Sequence, residues 1–303
     1  SIYHVYSIVN VSNSKIFGNI STNWGDGGGI YSHARFSTVN MDNCEVYDNS
    51  ARNGGGVFTL TENPSAVSHT TINRSTFYNN YAYWSGGGLS STAATCNVNI
   101  NHSTFMNNSA LDKGGAMTCS YNASSAYHGS FLTILNSTIV QNTAGNNQYA
   151  VYTTTDEPVI KGSIVAMNTP GNASCSDCAI QGIPLIESLG YNIFSDSALL
   201  GSHPTDYLDI DSSTLNLDQL GYNGGNTKTA MPLPPSIALN NGDPSDLTNA
   251  QNVPIAGTRE IGAAEFCQET YALHEIEACD SLTWVNGITY YTSVNSVIDT
   301  ISN

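Results

Sequence analysis

The residues best suited to chemistry in this chain fall into four groups. Asp206, Asp209 and Asp211, with Asp218 close behind, supply hard carboxylate oxygens at the short intervals a calcium loop uses, but without the fixed Gly and terminal Glu of a helix–loop–helix calcium hand. Calcium is therefore a candidate ligand, the bland reading is an acidic solvated loop, and no cofactor is required. Cys175-Ser-Asp-Cys178 can be a redox pair, half of a metal site or a short disulfide loop; its Gly/Pro/Ser-rich setting favours the disulfide. Arg74 and His102, and separately His33 with Arg35, are the best general acid–base candidates. The basic residues are scattered singly, so no catalytic residue is assigned. Trp24, Tyr83 and Trp84, beside Tyr78 and Tyr81, offer flat faces on which sugars stack, packing between loops being the alternative.

What positions these groups is legible first in the composition. Only 11% of residues are charged, while 40% are hydrophobic and 17 are tyrosine, which excludes a disordered chain. Helix-forming Lys, Glu, Leu and Ala are scarce, so the chain reads as β. The net charge of −16 is uneven: residues 1–182 hold nine acids against six bases, whereas 183–303 hold fifteen acids against Lys228 and Arg259. No basic stripe exists to neutralise phosphates, which makes nucleic acid and anionic lipid poor partners. No stretch approaches the ~20 apolar residues of a membrane helix, so direct membrane insertion is not expected. Ser1 reads as a processed or truncated start.

Internal repetition organises the first two thirds. Six segments end on Asn19, Asn49, Asn80, Asn108, Asn142 and Asn168, at spacings of 30, 31, 28, 34 and 26 residues. Between them recurs a glycine motif: Gly27-Gly-Gly-Ile30, Gly54-Gly-Gly-Val57, Gly86-Gly-Gly-Leu89 and Gly114-Gly-Ala-Met117. The period is too short for propeller blades, and the composition is wrong for helical repeats. Alternation within a repeat has period two: Ile72 in, Asn73 out, Ser75 in, Thr76 out, Phe77 in. Stacked repeats would align Ile16, Val46, Phe77, Phe105, Ile139 and Val165 as an apolar column, and Ser14, Cys44, Ser75, Ser103, Ser137 and Ser163 as a small one. The Asn column would form an amide ladder, since each amide can bond its neighbours above and below at the strand spacing. Gly28, Gly55, Gly87 and Gly115 mark corners, where φ is positive or walls come too close for a Cβ.

On these motifs the chain resembles known families. The Gly-Gly-Ala-Met and Phe-x-x-Asn copies resemble repeats of chlamydial polymorphic outer-membrane proteins, which are autotransported β-helix adhesins. Asn223-Gly-Gly-Asn-Thr-Lys-Thr-Ala-Met-Pro-Leu, Ile237-Ala-Leu-Asn-Asn-Gly-Asp243 and Gly257-Thr-Arg-Glu-Ile-Gly-Ala-Ala-Glu-Phe266 are similar to the closing segment of bacterial right-handed β-helix surface proteins of the choice-of-anchor type. Glu277-Ala-Cys-Asp-Ser-Leu-Thr-Trp284 and Asn286-Gly-Ile-Thr-Tyr290 resemble the start of β-sandwich repeats in Bacteroidetes surface proteins, with Asn286-Gly287 as a hairpin turn.

The expectation is an all-β, right-handed parallel β-helix: regular coils over 1–182, irregular coils and a closing segment over 183–267, and the opening of a sandwich domain over 268–303. The resemblances imply a secreted or cell-surface adhesive stalk. Its partners would be glycans or other surface proteins, and the chain would be part of a longer polypeptide or assembly. A secreted polysaccharide lyase or glycoside hydrolase is the alternative, because sugar-cleaving enzymes also use β-helices. The Asn-Thr-Asp, Asp-Asp, Gly-His-Gly and Arg-Ile-Lys signatures of polygalacturonases are absent.

Overall fold

In a computed structural model the chain is all-β, and its body is a parallel β-solenoid. The structure describes residues 6–22, 24–61, 67–121, 130–145, 149–154, 158–169, 173–175, 186–196, 203–251, 258–266, 282–283 and 289–290. Residues 1–266 form one compact unit and residues 267–303 another. In the second unit Leu282–Thr283 pairs antiparallel with Thr289–Tyr290. The connecting Asn286-Gly287 lies outside the described residues.

One coil shows the logic of the first unit. Val67–Asn73 is a long strand, Thr76–Tyr78 and Tyr81–Ala82 are short ones, and Leu89–Ala93 closes the circuit. Each pairs in parallel with its counterparts in the coils before and after. Among the described residues this builds sheets of seven, seven, six and four strands. The corners between the first three strands are single residues in the left-handed region. Asn43, Arg74, His102, Asn136 and Gly162 occupy the first corner, and Asp48, Asn79, Asn107, Gln141 and Met167 the second. Asn tolerates that region better than most residues, which is one physical reason for its abundance.

Register turns the repeat into columns. Ile16, Val46, Phe77, Phe105, Ile139 and Val165 stack in order, and the Phe77 and Phe105 rings lie parallel with centroids 4.6 Å apart. Complete burial of each such side chain contributes roughly 1.5–3 kcal/mol. Beside them each Asn Nδ2 donates to the Oδ1 of the next Asn, at 2.9 to 3.0 Å from Asn19 through to Asn168. The same Oδ1 accepts a backbone N–H, as Asn108 does from Asn80 at 3.1 Å. The second amide hydrogen reaches back to a carbonyl of the preceding coil, as Asn80 does to Val46.

A second polar column stands where the sequence reads only small residues. Each Ser Oγ accepts the backbone N–H of the coil before it: Cys44 to Ser75, Ser75 to Ser103, Ser103 to Ser137 and Ser137 to Ser163. Smallness is therefore half the requirement, and the hydroxyl is the other half.

The glycine motif divides its labour. The first glycine carries the positive φ, 60° at Gly54 and 70° at Gly86. The second meets the neighbouring coil: a Cβ on Gly55 would lie 2.5 Å from the Gly87 carbonyl oxygen, which no side chain tolerates.

Residues 183–267 read as irregular coils and a closing segment; Ile193–Phe194 stacks on the coil before it, and Tyr207 pairs in parallel with Ile193. From the short helix Ser212–Leu215 onward the chain runs across the outer face of the wall containing Thr76–Tyr78. An antiparallel arm, bridged at Leu217–Pro232 and Gly221–Thr229, carries Tyr222 to Lys15 in the first coil and the Lys228 carbonyl to Thr76. The chain then returns, and Ala263 N–H donates to Thr138 Oγ1 at 3.0 Å while Gly262 bonds Gly162. Thr76 does point out of the solenoid, yet it is fully buried because this arm covers it. A second apolar layer forms there from Met106, Val140, Ile164, Leu215, Ala238 and Ile261.

If the amide ladder holds the coils in register, Asn80→Ala should cost more than about 3 kcal/mol in urea unfolding. It strands the Val46 carbonyl and the Asn49 amide groups, each worth roughly 1–3 kcal/mol, and takes one of two donors from Asn108 Oδ1. Asn19→Ala, at the exposed end of the ladder, should cost under about 1 kcal/mol. Equal losses at the two positions would contradict the ladder's role.

Candidate functional site

The corner between the second and fourth strands carries the densest exposed aromatic surface. Trp24 from the first coil stands 6.2 Å, centroid to centroid, from both Tyr83 and Trp84 of the third, inclined to them by 53° and 50°. The three rings are 65%, 50% and 50% exposed. Tyr81 meets Tyr83 edge-on at 5.1 Å. The intervening coil contributes Arg52, whose guanidinium lies 5.2 Å from the Trp84 ring centroid. Arg52 is held by two hydrogen bonds to Asp26, at 2.9 and 2.6 Å, and Asn53 adds a third to that carboxylate. The corner is thus a braced platform: rings outside, a neutralised ion pair beneath.

Trp24 also has a φ of 64°, a region bulky side chains rarely adopt. Strain of this kind persists only where surrounding contacts enforce it, and it collects at functional positions. Arg52 and Asp26 escape a reading of the sequence because their type differs from the aromatics beside them. Their signal is positional: Arg52 follows Ser50-Ala51 as Tyr83 follows Tyr81-Ala82.

The four aspartates are not brought together. Asp206 is spent inside the last coil, accepting from the Asn192 backbone at 3.0 Å, from His203 N–H at 2.9 Å and from Ser188. Asp211 caps the short helix Ser212–Leu215 by accepting from Thr214 N–H at 2.8 Å. Asp218 accepts from Gln219 N–H, and Asp209 is exposed at a left-handed turn. Among the described residues no three His, Cys, Asp or Glu side chains gather in a metal-binding group. Cys178 and the side chain of Cys175 lie outside the described residues. A disulfide joins Cys96 to Cys119, whereas Cys44 is buried and free. The Cys96–Cys119 pairing is absent from sequence spacing because only the coil geometry brings positions 23 apart into contact.

Arg74 and His102 do occupy matching places in adjacent coils, both at the first left-handed corner, with φ of 43° and 47°. Each is already engaged. Arg74 bonds Asp42 at 2.6 Å, and its carbonyl accepts from Thr227. His102 lies under the returning segment, with Nε2 2.9 Å from Thr248 Oγ1. Burial first, and then the charge of Arg259, pull its imidazole from an ordinary 6.5 down to about 4. His33 lies near Tyr31, and Arg35 stands 5.7 Å over the Phe36 ring.

Residues 258–266 hold the returning segment in place. Arg259, 1% exposed, donates to Glu265 at 3.2 Å, to Asp246 at 3.4 Å and to the Gly262 carbonyl at 3.0 Å. Burial and the adjacent Glu260 raise the Glu265 carboxyl well above its usual range. Beside this clasp Lys161 pairs with Asp243 at 2.6 Å.

Comparison with protein-family profiles, curated proteins and solved structures finds no match to this chain.

His102 gives the clasp a pH dependence with a defined sign. Its folded value lies below the unfolded one, so the fold holds the neutral imidazole. Its stabilising contribution is complete above pH ~6.5 and falls away as pH drops through that window toward 4, by up to about 3 kcal/mol. Urea midpoints measured from pH 7 to pH 4 should decline. In His102→Gln the decline should flatten; an unchanged slope in that variant would assign the acid sensitivity elsewhere.

Proposed function

We propose that this protein is an extracellular adhesive β-solenoid of bacterial surface type, which holds the Trp24–Tyr83–Trp84 corner out toward glycans. The single observation carrying this reading is the corner itself: three half-exposed rings from two coils, braced by Arg52 and Asp26 on a stacked scaffold. A sugar ring presents axial C–H groups that settle on aromatic faces, and tilted faces grip two adjacent units of a chain. The charges beneath are already paired with one another, so neutral saccharides suit the site best. A solenoid gains from this use because a loop mounted on it loses little further entropy on binding.

The disulfide supports an oxidising, exported setting. The acidic surface suits a soluble exposed protein, and the repeats resemble those of autotransported adhesins. Binding is preferred to sugar cleavage because Arg74 is paired and His102 is covered and held neutral.

A glycan array probed with the purified chain should retain neutral oligosaccharides and release neither reducing nor unsaturated ends. Trp24→Ala combined with Trp84→Ala should weaken retention by about tenfold or more, since each ring contact is worth roughly 0.5–1.5 kcal/mol. Turnover of any polysaccharide, or retention indifferent to both substitutions, would overturn the reading.

A further inference from the structure

A second cluster, separate from the aromatic corner, lies where the returning arm reaches the first three coils. Phe17, Tyr47 and Tyr78 form a stacked column, with centroids 4.9 and 4.6 Å apart along the wall. Tyr222, at the tip of the arm, is set between two lysines, with Lys15 Nζ 5.1 Å and Lys228 Nζ 5.7 Å from its ring centroid. Beneath them Glu45 is 2% exposed and meets Lys15 at 3.3 Å.

Three requirements are left open here. Glu45 Oε1 is shut off from solvent and has no hydrogen-bond partner among the described residues, a costly state for a carboxylate oxygen. Lys228 faces the Tyr78 and Tyr222 rings and touches the Tyr78 hydroxyl at a long 3.4 Å, but its ammonium meets no carboxylate among the described residues. Tyr222 and Phe17 remain 52% and 56% exposed. A ligand meeting all three needs a hydroxyl for Glu45, an anionic group for Lys228 and a flat C–H face for the tyrosine. Among the described residues Glu45 has Lys15 as its ion-pair partner, on Oε2, and Lys15 is a half-exposed flexible side chain that can swing aside for a hydroxyl.

We propose that the Lys15–Glu45–Lys228–Tyr222 cluster is a binding site for a carboxylated sugar. The chemistry is shared by uronic-acid units within a polymer and by a terminal sialic acid, and it differs from the neutral chains suited to the Trp24 corner. Glu45 selects the hydroxylated ring over a simple anion, and Lys228 selects the acid over its neutral counterpart. The arm from Leu217 to Pro232 thereby does two things: it covers the wall and completes the site.

Isothermal titration of the full chain with tetragalacturonate and with sialyllactose, against cellotetraose and lactose as neutral controls, tests this directly. One acidic ligand should bind at least about tenfold more tightly than its control, and the preference should shrink as salt is raised. Lys228→Met and Tyr222→Ala, each checked for an unchanged melting temperature, should each lose most of that preference. Trp24→Ala with Trp84→Ala should leave it intact, which separates this site from the corner. Absence of any acidic preference, or a preference that survives both Lys228→Met and Tyr222→Ala, would overturn the proposal.

Discussion

Everything in this molecule depends on side chains that can hydrogen-bond to copies of themselves. A solenoid places the same position of successive coils directly above one another at the strand spacing, so any polar group turned inward must be satisfied by its own kind. Asparagine meets that condition with two donors and an acceptor. In Asn49, Asn80, Asn108 and Asn142 all of these are used, toward the next coil, the previous coil and the backbone. Serine meets it with one hydroxyl, donating within its own turn and accepting from the neighbour. An apolar residue of matching size in either column would leave corner amides bare.

The same stacking explains what the glycines exclude and what the outer wall requires. At Gly55 and Gly87 adjacent backbones come so close that the coil contact itself forbids a Cβ. On the outer wall the problem is reversed: the apolar patch of Met106, Val140 and Ile164 faces away from the solenoid core and needs cover. The returning segment supplies it, fastened by the buried Arg259–Glu265 pair and, toward the surface, by Asp246 and the Lys161–Asp243 pair. Removing one partner of such a buried ionic set leaves the remainder uncompensated, which makes the seam sensitive to protonation in a way surface pairs are not.

What sequence could and could not reveal follows from range. The coil path is a local matter: period-two alternation, an Asn every thirty residues or so and a glycine motif between are enough to read a parallel solenoid. The arm is not local. Lys15 and Tyr222 are 207 residues apart, and Thr76 and Lys228 are 152 apart. No periodicity links such pairs, so the sequence points to a closing segment without showing which wall it covers. Spacing also misleads where a corner conformation dictates residue type. Arg74 and His102 align because both occupy a left-handed corner, and their alignment carries no catalytic meaning by itself. The aspartates from 206 to 218 look like a ligand set in one dimension, yet two of them, Asp206 and Asp211, are consumed by a coil end and a helix cap.

The two candidate sites differ in how they are built, and the difference follows from this geometry. The Trp24 corner is made by neighbouring coils and inherits their rigidity, whereas the Lys15–Tyr222 cluster exists only while the arm is seated. Both require the coils to keep register, so the amide ladder is the claim to test first. Side-chain hydrogen exchange read by NMR does so without altering a residue. The Nδ2 protons of Asn80 and Asn108 should exchange as slowly as core backbone amides, with nuclear Overhauser contacts linking Asn49, Asn80 and Asn108 in sequence. Rapid exchange of those protons, or the absence of contacts from one amide to the next, would contradict the account.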